Sequence, residues 1–137
     1  MSIEECAPVS PEDVITRFAI DKSYFRPSDG TARHVAFMPQ NGEVSVFRIR
    51  DLALDEIWEI GNREVVPLRG KPIRGRLDLL TGHAVSIGAT VYVAEPPPWH
   101  AVIRGFPDDP EKIKQRAIDL ASLAHFRSAP ESIGAGK

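Results

Sequence analysis

The segment Glu95-Pro96-Pro97-Pro98-Trp99-His100-Ala101-Val102-Ile103-Arg104-Gly105-Phe106-Pro107 sets the reading of the fold. Proline fixes φ and withholds a backbone donor, so three in a row make a held turn and cannot sit inside a central strand. Thr90 to Ala94 alternates before the turn and His100 to Arg104 alternates after it, which predicts two strands joined by a stiff connection. Asp109-Pro110-Glu111 follows at once and predicts a helix start: Asp109 caps, Pro110 suits the first helical position, and Glu111 meets the positive end of the dipole. Ile113, Ala117, Leu120, Ala121 and Ala124 then recur at helical spacing, with Lys112, Gln115, Arg116 and Asp119 outside the stripe. Such a stripe needs a sheet to lie on.

Working back towards the start, Val14 to Ile20 reads as a strand. Arg26-Pro27-Ser28-Asp29-Gly30 reads as a turn. Arg33 to Met38 alternates, Asn41-Gly42 is a strong hairpin signal, and Val44 to Ile49 reads as the returning strand. In that strand Ser45, Phe47 and Ile49 share one face, while Val46, Arg48 and Arg50 share the other. Leu54 to Ile60 predicts a short helix, with Asp55 and Glu56 in its first turn, a stripe of Leu54, Ile57 and Trp58, and Gly61 as its stop. Asp78 to Ile87 reads as a second helix ending at Gly88, weakened by an interior Gly82. The order β-β-β-α-α-β-β-α with hairpin-type links predicts an α+β fold. The expected sheet is mainly antiparallel, of about five strands, with two or three helices packed on one side.

Composition narrows the classes. The chain has 137 residues, 42% hydrophobic and 26% charged, which suits one globular domain with a real core. Residues 1–11 read as a mobile leader, 12–127 as the domain and 128–137 as a flexible tail. A formal charge of −2 supplies no overall cationic field for nucleic acid or anionic membrane. One cysteine, Cys6, allows neither a disulfide framework nor a cysteine metal site. The acidic start Met1-Ser2-Ile3-Glu4-Glu5 has no signal-peptide pattern, and no run approaches a membrane span, so the expected setting is the cytoplasm of a bacterial cell. No phosphate-binding glycine loop, nucleophile elbow or His-x-x-x-His metal pair occurs, and neither metal nor cofactor is expected. His34, His83 and His125 are isolated.

The candidate chemistry lies on the strand after the prolines. His100, Val102 and Arg104 project to one face, where histidine is suited to proton transfer and arginine to holding a phosphate or carboxylate. Arg48 and Arg50 share a face of another strand and would complete an anionic pocket if the strands are close. The plain alternative is that His100 bonds a backbone group beside the turn and the arginines cover a solvated face. Trp99, at the end of the turn, has the character of a binding hot spot, whereas Trp58 belongs in the core. The stretch Arg69-Gly70-Lys71-Pro72-Ile73-Arg74-Gly75-Arg76 concentrates Arg69, Lys71, Arg74 and Arg76 in one expected loop, able to follow a phosphate backbone without sequence preference or simply to stay solvated.

Arg26-Pro27-Ser28-Asp29-Gly30, Ser45-Val46-Phe47-Arg48 and the Pro97 to Pro107 segment, in that order, resemble a set of small bacterial proteins over roughly residues 15 to 125. The resemblance implies a stand-alone domain and implies no activity, cofactor or site residue. Two functions are therefore expected from the residues alone. One is a binding or adaptor module that meets a protein partner through Trp99, His100 and Arg104, with Arg48 and Arg50 beside them. The other is an enzyme or toxin acting on RNA or a nucleotide, with His100 as acid or base and Arg48, Arg50 and Arg104 as an anion clamp.

Overall fold

The computed structural model describes residues 7–130; Cys6, the rest of the expected leader before it, and the tail beyond residue 130 lie outside the described residues. The protein is α+β, as expected, with one antiparallel sheet of six strands. In chain order they are β1 (Val14–Ala19), β2 (Val44–Arg48), β3 (Gly75–Leu80), β4 (Thr90–Val93), β5 (His100–Arg104) and β6 (His125–Ser128). They lie side by side as β4-β5-β2-β1-β3-β6. The helices are α1 (Leu54–Ile60), α2 (Val66–Arg69), α3 (Thr81–Ser86) and α4 (Pro110–Leu123), and a π turn at Gly61–Val65 fuses α1 and α2 into one helical run.

Helices cover both faces, where the sequence predicted one. Ile15, Val44, Val46, Leu77, Leu79 and Ile103 pack with Ala117, Leu120 and Ala121 of α4 and with Ala36 and Phe37. Phe18 and Phe47 project the other way and pack with Ile57, Trp58 and Ile60 of α1 and with Ile73. Successive residues of β1 and β2 are thus buried on opposite sides, which requires cover on each. In α1 the buried residues are Ile57, Trp58 and Ile60, while Leu54, expected inside, is 63% exposed.

Four local expectations change. Arg33 to Met38 is no strand: His34–Phe37 is a 3₁₀ turn whose Ala36 and Phe37 are both buried. Both edges of β2 are already taken, by β1 and β5, so no ladder was left for that segment. Asn41 and Gly42 do form a tight turn with φ of 55° and 80°, closed by the Gln40–Glu43 bridge, but the pairing ends there. The helix expected from Asp78 begins only at Thr81, because Gly75–Leu80 is strand β3, with Leu77 and Leu79 pointing to the α4 face and Arg76 and Asp78 to the α1 face. Gly61 does not stop α1. Its φ is −59°, and a Cβ there would lie 2.3 Å from Ile73 Cδ1 and 2.8 Å from Phe18 Cε1, so only glycine lets the helix press onto the sheet.

Both expected flexible ends are partly tied down. Pro8 bridges to Tyr92, Val9 N–H donates to Val91 O, and Val9 is buried against the core, so the leader extends the sheet beside β4. Ser128 ends β6 paired to Gly75, and Ala129 N–H donates to Arg74 O.

The exit of β1 carries a pH-sensitive clasp. Asp21 accepts the Ser23 N–H at 3.0 Å and pairs with Lys71 Nζ at 3.1 Å, which together lower its pKa from 3.8 to about 2. A depressed carboxyl pKa stabilises the fold above the ordinary value, and that contribution is lost as pH falls from about 4 towards 2. Asp21→Asn should therefore be less stable than the native chain in urea at pH 6, with the gap narrowing at pH 3. A pH-independent gap would show that the charge on Asp21 contributes nothing through either contact.

Candidate functional site

The ladder between β1 and β2 is short. It pairs Ile15 with Arg48 and Thr16 with Phe47, and then the strands part. Arg17 takes over where backbone pairing stops. Its guanidinium donates from Nη1 to Ser45 O and from Nε to Ala36 O, both at 3.0 Å, and from Nη2 to Tyr24 Oη at 3.4 Å. Burial lowers the Arg17 pKa from its ordinary value, and nearby Arg69 acts in the same direction, although a guanidinium stays charged. Neither Arg17 nor Arg69 forms a salt bridge among the described residues.

Over this open seam lies a cleft of about 350 Å³, within the usual size of a small-molecule site. Its floor is Phe18, Ser45, Phe47 and His100 of the sheet; its far wall is Glu64, Val65, Leu68 and Arg69. The π turn shapes that wall, since it shifts the helical register so that Glu64 and Val65 face the sheet. A second, polar recess of about 220 Å³ adjoins it, lined by Gln40, Asn41 and Glu43, and shares Arg17, Ser45 and Arg69 with the first.

His100 is held at the cleft by the proline turn. Trp99 takes φ of 72°, a left-handed conformation costly for a bulky residue. Glu95 Oε2 accepts the Trp99 N–H at 2.9 Å, and Trp99 O accepts from Arg48 N at 2.8 Å, which locks that conformation. The His100 ring stands edge-on to Phe47, 5.3 Å between centroids. Nδ1 lies 2.8 Å from Ala94 O. A carbonyl oxygen only accepts, so Nδ1 carries the proton, and Nε2 of the neutral ring is left to accept from Ser45 Oγ at 3.1 Å. Ser45 and His100 are diagonal neighbours on one face, because β2 and β5 pair Phe47 with His100 and Ser45 with Val102.

The expected clamp is not assembled. The register puts Arg48 on the opposite sheet face from His100, since it follows Phe47, the pairing partner of His100. There it is ion-paired to Glu95, with its guanidinium 5.2 Å from the Trp99 ring centroid. Arg50 pairs with Asp51, and Arg104, although on the His100 face, is held by Glu43 at 2.9 Å. Arg76 leaves the expected basic loop altogether: it is 6% exposed in β3, paired with Asp78 and stacked on Trp58 at 4.9 Å. Lys71 pairs with Asp21. Of the residues singled out from sequence, His100 and Arg69 reach the cleft. Arg17, Tyr24 and Ser45 were missed; the alternation that put Ser45 on the Phe47 face was legible, but the pairing of β2 with β5 was not.

Among the described residues no cluster of three His, Cys, Asp or Glu side chains could hold a metal ion, and no helix is long and apolar enough to cross a membrane. No family model, curated protein or solved structure matches this chain.

Proposed function

We propose that the protein is an enzyme that takes a small phosphate-bearing substrate, of the nucleotide class, into the cleft over the β1–β2 seam. Arg17 and Arg69 hold the anion and His100 moves the proton. The observation that carries this reading is the pair of neighbouring cations with no carboxylate partner, one of them already largely desolvated by its surroundings. Three of the five Arg17 N–H groups are spent on Ala36, Ser45 and Tyr24, leaving two for a ligand. An arriving phosphate relieves the repulsion between the two guanidinium groups and gains charge-assisted hydrogen bonds. Phe18, Phe47, Val65 and Leu68 offer the apolar surface that a base or sugar needs. A cytoplasmic setting, where nucleotides are met, belongs to the same proposal.

A protein partner on Trp99, His100 and Arg104 has less support. Trp99 is stacked by Arg48, His100 is bonded at both nitrogens, and Arg104 is neutralised by Glu43. They do not form one free face.

Titration with a nucleoside monophosphate and with the matching nucleoside tests the proposal. The monophosphate should bind more tightly, with affinity falling as salt rises. Arg69→Ala should weaken it about 10- to 100-fold, the value of one charge-assisted contact, with an unchanged melting temperature because the side chain is exposed. Equal affinities for native and variant chains would sink the anion-binding role.

A further inference from the structure

We infer that Ser45 is a nucleophile and that the substrate is a phosphodiester whose two arms occupy the two recesses that meet at its Oγ. This rests on the reading of the cleft as a phosphate-bearing substrate site. The first support is the Ser45–His100 pair: a hydroxyl 3.1 Å from an imidazole nitrogen whose other nitrogen is anchored on Ala94 O. A nucleophile, a base within reach and a third group that fixes the tautomer are the parts of covalent catalysis, here with a backbone carbonyl as the orienting group.

The second support is placement. Ser45 lines both the larger, partly apolar recess and the smaller polar one, so it stands where the two adjoin. A monoester has one organic arm and leaves one recess idle; a diester has two. Arg17 and Arg69 line both recesses as well, beside the position a bridging phosphorus would take. Arg17 also grips the carbonyl of Ser45 itself, which fixes the cation relative to the nucleophile.

The reaction runs in two steps. Ser45 Oγ attacks phosphorus, its proton passes to His100 Nε2, the Oγ–P bond forms, and the P–O bond to one arm breaks. That arm leaves as an alcohol, taking the proton from the imidazolium. Water then attacks the phosphoserine diester while His100 accepts its proton. The Oγ–P bond breaks, Ser45 recovers the proton, and a phosphomonoester is released. The two guanidinium groups neutralise the oxygens on phosphorus throughout.

Bis(4-nitrophenyl) phosphate is the probe. The full chain should release a burst of 4-nitrophenol and acquire a 4-nitrophenylphosphoryl group on the peptide containing Ser45, read by mass spectrometry. Ser45→Ala should abolish both while still binding a nucleoside monophosphate. His100→Asn keeps a donor for Ala94 O but removes the base, and should slow the burst about 10²- to 10⁴-fold. Release unchanged in Ser45→Ala, or no release by the native chain, overturns the nucleophile while nucleotide binding persists. Loss of nucleotide binding in the native chain overturns the cleft reading itself.

Discussion

Trp58→Ala should destabilise the protein by about 3–5 kcal/mol, the usual cost of deleting a buried aromatic side chain. For a domain of this size that corresponds to a fall in melting temperature of roughly 10–20 °C. Trp58 is 4% exposed, packs 6.3 Å from Phe18 and covers the Arg76 guanidinium. Its loss opens a void and also strips the cover from a cation whose Nη1 already has no hydrogen-bond partner. The effect should reach the cleft, because α1 leads through the π turn into the wall that carries Val65 and Arg69. Trp58→Phe keeps an aromatic face for Arg76 and should cost less than half as much. Calorimetry or urea unfolding of the two variants decides the matter. Equal stability of Trp58→Ala and the native chain would mean that α1 is not anchored by this side chain.

Arg17→Leu should combine a stability loss of about 2 kcal/mol with a loss of nucleotide affinity of about 100-fold. The stability term comes from two carbonyls, Ala36 O and Ser45 O, left without the donor that replaces backbone pairing at the seam. Solvent reaches Ser45 and will hydrate its carbonyl, so most of the loss is assigned to the part-buried Ala36 contact. The affinity term comes from the missing cation. Arg17→Lys separates them: it retains the charge but cannot fork to three acceptors, so it should bind better than the leucine variant while remaining less stable than the native chain. If leucine is tolerated in unfolding experiments, the seam is held by something other than Arg17.

How much of this was legible in the sequence depends on whether the signal was local. α4 was readable because its cap, first-turn proline and apolar stripe all lie in one unbroken stretch from Asp109 to Ala124, and Asp109 does accept the Lys112 N–H. The Asn41-Gly42 turn was readable for the same reason. What the turn joins was not, since the partner of β2 is chosen by competition among strands distant in sequence. β3 was misread because Leu79-Leu80-Thr81 runs straight from strand into α3 with no breaker between them. β6 is four residues, His-Phe-Arg-Ser, too short and polar to show a period. The site divides in the same way. His100 stood out beside its prolines, and a bond to a backbone group next to the turn was the plain alternative weighed for it. Ser45 and Arg17 acquire meaning only once β2 lies between β5 and β1.

The central place of β1 also bears on how the chain reaches this state. β1 is made first among the strands, yet its neighbours are β2 and β3, and its six-residue ladder with β3 closes only after Leu80 exists. At about 5–20 residues per second, the apolar Ile15 and Phe18 wait roughly 3–13 s on the ribosome for that partner. The strand pair closest in sequence among the described residues, β4 with β5 across the prolines, is made later still and docks through β5 onto β2. Assembly therefore depends on contacts between remote parts of the chain, the pattern of slow folders.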